Sequence, residues 1–301
     1  MQSRDPGGRC FLDLSDRTKL RLTGTDRLRF VNGQITNDIR KATASSAIAA
    51  CVLNVKGKLN AHLFASVRDD SIFIDADPAL NEALTGRLER YIIADDVQIE
   101  DVSAQFSLFH VIGKPPDIAD GTLISANRFG QPGSDLWVDS TRHDAVAESL
   151  SAEVPFCDRD CAEVLRIEQG VPSWGRELTE EIIPVEANLE ESSIDYAKGC
   201  YIGQEVISRM KMSGQRNKSL CGLVAPNDTA LISGTKLFSA ADNEREIGWI
   251  TSAVWSDRLG KYIGLGYLKR PFNQPGAEVI AKLAEGKLLP ARVVNLPFAP
   301  G

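Results

Sequence analysis

The last third of the chain is a series of short apolar runs separated by turn-forming residues, and this feature constrains the fold most strongly. Six β-type runs follow Arg216 within about eighty residues, with Gly, Pro, Asn and Asp between them. They read SLCGLVA, TKLFS, EIGWITSAVW, YIGLGYL, AEVIAKL and ARVVNL. Short strands at such spacing are typical of a small all-β module. The sequence therefore predicts a β-barrel or sandwich at the C-terminal end.

The first half of the chain mixes strand patterns with helix patterns. Apolar or alternating runs predict strands at 18–24, 47–55, 59–67 and 71–76. Lys56-Gly57-Lys58 separates the second and third of these runs and is a hairpin signal, and Pro78 suits the first turn of a helix. Strands that are joined by hairpins and interspersed with helices predict an α+β fold rather than a doubly wound parallel sheet.

The length of 301 residues favours two or three domains. We predict an N-terminal α+β region over residues 1–155, which could comprise two modules. Residues 156–215 contain a helix that ends at Gly170, an acidic connector and the sequence KGCYIGQE. Residues 216–301 form the predicted β-barrel.

Composition argues against several classes of protein. The net charge is −7 and the isoelectric point is about 5.2, so we expect no direct contact with nucleic acid. We see no secretory signal and no membrane-spanning run, and we expect a cytoplasmic protein. The six cysteines are scattered, and we interpret Cys157 and Cys161 as packing residues rather than half of a zinc site. No metal site is therefore predicted.

The sequence KGCYIGQE at 198–205, hereafter the signature segment, places a cysteine in a polar and glycine-rich setting. Structural cysteines usually have apolar neighbours, so Cys200 is a candidate functional residue. Lys198 and a helix beginning near Gly203 would both favour a thiolate. Arg209 belongs to a basic stretch that could flank an anionic ligand or an acidic partner, or could simply be a solvated surface. The alternative for Cys200 is a free loop cysteine.

Two further residues are candidates for binding a ligand. Glu168 lies near the end of a predicted helix, where the helix dipole disfavours a carboxylate. A cleft-facing carboxylate there would need a partner with paired hydrogen-bond donors, and the alternative is a solvated surface glutamate. Asn32 lies in GTDRLRFVNGQITNDI, where an asparagine could cap a helix or bind a ligand.

Several of these segments carry a resemblance to a known family. The segments are GTDRLRFVNGQITNDI, NVKGKL, EVLRIEQGVPSWGREL, IPVEANLE, KGCYIGQEVISR and IGWITSAVWSDRLGKYIGLGYL, in that order. The chain resembles the folate-binding YgfZ-type proteins, which are relatives of the aminomethyltransferase (T-protein) of the glycine cleavage system. The resemblance extends from about Leu14 to Val294, and its most specific part is the signature segment.

The resemblance implies three modules around a tetrahydrofolate-binding centre, with a β-barrel last. It implies that Glu168 contacts the amino-pyrimidine edge of the pterin and that Cys200 is the functional thiol, with Lys198 beside it. Asn32 and Arg209 are further candidate folate contacts. At the two acidic positions of the T-protein's catalytic stretch, this chain has Ala61 and His62.

The resemblance further implies a tetrahydrofolate-binding accessory factor for the assembly or repair of iron–sulfur proteins, some of which modify tRNA. The expected partners are folate and iron–sulfur client or assembly proteins. Two alternatives stay open. One is a folate-dependent one-carbon transferase, against which the loss of the acidic pair argues. The other is a non-catalytic scaffold that docks a partner through its acidic segment.

Overall fold

The computed structural model describes residues 8–118, 121–226, 229–242, 244–283 and 287–298. These residues divide into two compact units. Residues 8–158 and 189–212 form the two-sheet unit, and residues 159–188 and 213–298 form the barrel unit. The domain boundaries drawn from the sequence at residues 155 and 215 stay a prediction.

The two-sheet unit contains a five-stranded and a four-stranded antiparallel sheet. Its strands are β1 (Cys10–Asp13), β2 (Thr18–Thr23), β3 (Ile48–Leu53), β4 (Leu59–Arg68), β5 (Ser71–Ala76), β6 (Gln98–Asp101), β7 (Phe106–Ile112), β8 (Thr122–Ala126) and β9 (Gly133–Asp139). The strand orders are β3-β4-β5-β2-β6 and β1-β7-β9-β8. The predicted hairpin around Gly57 is confirmed, because β3 and β4 pair and place Cys51 opposite His62.

The helices are short and lie between or after the strands. They are α1 (Arg27–Gln34), α2 (Asn81–Glu89), α3 (His143–Glu153), α4 (Arg159–Glu168), α5 (Glu190–Ser193) and α6 (Gln204–Ser213). Single 3₁₀ turns cover Ile39–Lys41, Pro78–Leu80, Ser140–Arg142 and Pro184–Ala187. In the part of the chain that the structure describes, no helix is long and apolar enough to span a membrane.

The core of the two-sheet unit follows from strand periodicity. Successive side chains of β5 point to opposite faces of the sheet. Phe73 of β5 makes edge-on contacts with Phe106 and Trp137 of the four-stranded sheet, each with ring centroids 5.7 Å apart. These contacts show that the two sheets face each other. On the outer side of the four-stranded sheet, α3 buries Val146 and Leu150.

The barrel unit contains the predicted C-terminal barrel. Its strands are β10 (Lys218–Val224), β11 (Lys236–Ser239), β12 (Glu246–Ser256), β13 (Lys261–Lys269), β14 (Glu278–Lys282) and β15 (Leu288–Val294), and they close in the order β10-β13-β12-β11-β14-β15. Their inward side chains form one apolar cluster that includes Leu223, Leu237 and Ile250. Closure pairs every strand on both sides and leaves no open edge. The predicted α+β class with a small β-barrel is confirmed.

Candidate functional site

Lys198 ties the signature segment to the last turn of α1 and to the residues that follow it. Its side chain is buried, and its ammonium donates hydrogen bonds to the carbonyl oxygens of Asn32, Ile35 and Asn37 at 2.6, 2.6 and 2.8 Å. Burial lowers the pKa of Lys198 to about 8, although Asp38 acts in the opposite direction. An ammonium has three N–H donors, and these three carbonyls use all of them.

Two glycines bring the signature segment and the first turn of α6 directly against the β3–β4 hairpin. Gly203 has φ +85°, and a Cβ atom there would lie 2.7 Å from the carbonyl oxygen of Asn54. Gly57 has φ +73°, and a Cβ atom there would lie 2.8 Å from the Cβ of Val206. Neither position tolerates a side chain without movement of its neighbours. Three separate parts of the sequence, at 24–39, 54–59 and 198–209, therefore meet in the two-sheet unit.

Cys200 and Tyr201 are adjacent but differ in exposure. The Cys200 thiol is free and exposed. Tyr201 is buried, its ring centroid lies 5.1 Å from the Lys198 ammonium, and its hydroxyl has no hydrogen-bond partner among the described residues. Because Lys198 has no N–H left to donate, it cannot hydrogen-bond a Cys200 thiolate while these contacts hold. Its three hydrogen bonds tie the segment that carries the thiol to Asn32, Ile35 and Asn37.

Asn32 and Arg209 are the two other predicted site residues in this unit. The side-chain oxygen of Asn32 accepts a hydrogen bond from the Ile39 N–H at 3.1 Å, at the start of a 3₁₀ turn whose N-cap is Asp38. Arg209 is exposed on α6, and this helix begins at Gln204, in agreement with the predicted start near Gly203. Asn32, Lys198, Cys200 and Arg209 thus belong to the two-sheet unit.

Glu168 lies in the barrel unit and is not a solvated surface residue. It is 5% exposed at the end of α4. One carboxylate oxygen accepts the Ser256 hydroxyl at 2.5 Å, and the other accepts Nε and Nη2 of Arg258 at 2.9 and 2.6 Å. The paired donors that a carboxylate needs at this place are therefore supplied by Arg258, a residue that sequence reasoning missed.

Ala61 and His62 stand where the resemblance led us to look for acidic residues. Ala61 is fully buried in β4. His62 Nε2 lies 3.2 Å from the Ser193 hydroxyl, and burial, with Arg17 and Arg128 nearby, lowers the pKa of His62 to about 4. Its imidazole is therefore neutral at pH 7. This position carries no negative charge that could stabilise a cationic intermediate.

A buried charged network between the two sheets was also missed by sequence reasoning. Arg128 donates to Asp75 of β5 at 2.9 and 2.6 Å and to Asp135 of β9 at 2.7 and 2.7 Å. His110 Nδ1 lies 2.8 Å from Asp135 Oδ1. The sequence contains one sign of this network, which is Asp75 inside the apolar run SIFIDA. A charged side chain in a buried strand needs a partner. The partner itself is too distant in sequence to be inferred.

Cys157 and Cys161 are both buried, at 2% and 8% exposed. Among the residues that the structure describes, no group of three or more His, Cys, Asp or Glu is placed to hold a metal ion.

Comparisons with known proteins agree with the fold. A family model described as the glycine cleavage T-protein C-terminal barrel domain matches residues 218–299. The aminomethyltransferase T structure of the glycine cleavage system from Bartonella henselae superposes with a TM-score of 0.85. It is 18% identical in sequence, and the match covers 97% of this chain and 86% of that one. At this identity the likeness shows a shared fold.

Sequence relatives cover most of the chain. The tRNA-modifying protein YgfZ of Yersinia pestis is 26% identical over an alignment of 266 residues, and the match covers 81% of this chain and 79% of that protein. A chloroplastic protein of Arabidopsis thaliana, named provisionally as a transferase, is 26% identical over 291 residues. That match covers 86% of this chain but only 65% of the plant protein, which is less than two thirds of its length. The barrel-domain match, the relatives and the shared fold together show that the chain is similar to the YgfZ-type proteins of the T-protein-like family.

Proposed function

We propose that the protein binds tetrahydrofolate and supports the assembly or repair of iron–sulfur proteins, including proteins that modify tRNA. The observation that carries this proposal is the exposed Cys200 thiol on a segment that Lys198 and Gly203 hold in place. The similarity to a tRNA-modifying protein supports the choice of process.

The roles that we propose follow the contacts of each residue. Cys200 is the functional thiol, and Lys198 positions it. Glu168 binds the amino group and ring N–H of the pterin in place of Arg258, since both donors present a planar pair of N–H groups. Arg209 is exposed and offers a cation to the folate carboxylates. Asn32 contributes through its amide nitrogen, because its oxygen is used within the chain.

A one-carbon transferase is the second candidate, favoured by the shared fold with an aminomethyltransferase. Ala61 and the neutral His62 argue against it, because neither can balance a developing positive charge or act as a strong base at neutral pH. The third candidate is a scaffold for which folate is only a stabilising ligand. It would use the surface of the chain and not the Cys200 thiol.

A calorimetric titration of the purified protein with tetrahydrofolate, and separately with its methylene form, tests the proposal. We expect saturable binding without one-carbon turnover from a lipoamide donor. Absence of binding to both folates would refute the folate-dependent function. Steady formation of methylene-tetrahydrofolate would instead replace it with the transferase.

A further inference from the structure

Arg68, at the end of β4, has an unusual environment for a guanidinium group. Its Cζ lies 4.2 Å from the centroid of the Phe73 ring and 4.9 Å from that of Trp137. Its Nε and Nη2 atoms are buried, and neither has a hydrogen-bond partner among the described residues. Two aromatic rings thus hold the group in place, while the edge that binds planar anions is left without an acceptor.

Other arginines of the chain show what this edge ordinarily binds. In Arg40, Arg128, Arg166 and Arg258, Nε and Nη2 together donate to a single carboxylate, at distances between 2.6 and 3.1 Å. The same two atoms of Arg68 contact no carboxylate in the described chain. Arg68 therefore departs from the pattern set by these four residues.

The nearby acidic side chains do not bind the Nε and Nη2 atoms of Arg68. Asp69 and Asp70 follow Arg68 in the hairpin, and the Asp70 carboxylate accepts the Ser71 hydroxyl at 2.9 Å. Burial lowers the pKa of Arg68 to about 10, with Asp135 acting in the opposite direction. A buried donor without a partner costs free energy, and a carboxylate that enters would remove this cost. The adjacent hairpin residues 69–70 are exposed.

We propose that the Nε/Nη2 edge of Arg68 is a binding site for the carboxylate of a small molecule. The ligand class is a carboxylic acid that enters at the β4–β5 hairpin and accepts both N–H groups side by side. Two sources share this chemistry, a free carboxylic acid and the glutamate part of a folate. Only the second source depends on the function proposed above.

The test is a titration of isotope-labelled protein, read at the Arg68 Nε–H resonance. The probes are glutarate, p-aminobenzoylglutamate and, as an uncharged control, p-aminobenzamide. We expect a saturable downfield shift with at least one carboxylate probe and none with the amide. A response to p-aminobenzoylglutamate alone assigns the site to the folate tail, and a response to both carboxylates assigns it to free acids. No shift with either carboxylate would overturn the proposal.

Two variants make the test specific. Arg68→Lys keeps the charge but loses the paired edge, so carboxylate affinity should fall at least tenfold. Arg21→Lys is the matched control, because Arg21 lies in the same sheet and already pairs with Glu100. Equal affinities of the two variants would contradict the assignment. Glu168→Gln should leave glutarate binding unchanged, so this site and the pterin proposal can fail separately.

Discussion

Replacing Lys198 with methionine removes the ammonium that fastens the signature segment and keeps most of the apolar stem. The carbonyls of Asn32, Ile35 and Asn37 then lose their charged donor. Because these carbonyl groups are buried or partly buried, water replaces the lost donor poorly. We expect the signature segment to loosen and the whole unit to lose stability.

The magnitude follows from two opposing contributions. Hydrogen bonds from a charged donor contribute roughly 1.5–3 kcal/mol each, or about 4–9 kcal/mol for three. Burial of the ammonium, which lowers the pKa of Lys198 from 10.5 to about 8, opposes them by about 3 kcal/mol. The expected loss in the free energy of unfolding is therefore about 1–6 kcal/mol, with about 3 kcal/mol as the central value.

Urea unfolding measures the loss, and hydrogen exchange locates it. Amides of the signature segment, including the Ile202 N–H that donates to Gly33, should exchange faster in Lys198→Met. Lys41→Met is the matched control, because Lys41 is 60% exposed and pairs with Asp195. We expect the control to change stability by less than about 1 kcal/mol. Equal losses in both variants, with unchanged exchange at 198–203, would refute the fastening role.

Cys200 should be alkylated before the other free cysteines in limited labelling at neutral pH. The reason is that Cys200 is exposed, whereas burial raises the pKa of Cys10 to about 11. Equal alkylation rates, measured by mass spectrometry, would contradict this prediction. Glu168→Gln should weaken tetrahydrofolate binding by about 1.5–3 kcal/mol in calorimetry, whereas Glu186→Gln, at a comparably buried ion pair, should not. His62 should make the protein less stable in acid, because the unfolded state binds more protons than the folded state between pH 6.5 and about 4. The stability due to neutral His62 is complete above pH 6.5 and is lost as the pH falls, by at most about 3 kcal/mol in urea unfolding.

Histidine variants separate these pH effects. His62→Gln should flatten the decrease in stability below pH 6.5. His143 provides a control of opposite sign, because hydrogen bonds to Asp144 and Asp13 raise its pKa. Its contribution is present below its unfolded pKa and is lost as the pH rises, so His143→Gln should reduce stability on the acid side. If the free energy of unfolding of His62→Gln depended on pH in the same way as that of the wild type, His62 would not titrate as described.

Local sequence signals predicted those parts of the fold that depend on local chemistry. Lys56-Gly57-Lys58 identified the β3–β4 hairpin, and turn residues between apolar runs identified the barrel strands. Contacts between distant residues were beyond such signals. Lys198 was interpreted as a neighbour of the Cys200 thiol because the two are close in sequence. Its ammonium instead reaches carbonyls more than 160 residues away.

The candidate site shows the same limit. A carboxylate at the end of α4 correctly indicated that Glu168 needs paired donors, but the donor, Arg258, lies 90 residues further along the chain. Asp75 and Arg128 pair across 53 residues and two sheets. Periodicity gives the face on which a side chain lies, whereas its partner depends on how the sheets pack.

The most direct test of the account concerns the Cys200 thiol in cells that lack their own protein of this family. The measurement is the activity of an iron–sulfur enzyme that modifies tRNA, after complementation with the wild type, Cys200→Ser or Cys10→Ser. We expect the wild type and Cys10→Ser to restore the activity. We expect Cys200→Ser not to restore it, although this variant folds and binds tetrahydrofolate normally. Full restoration by Cys200→Ser would contradict the proposed role of the thiol and favour a scaffold.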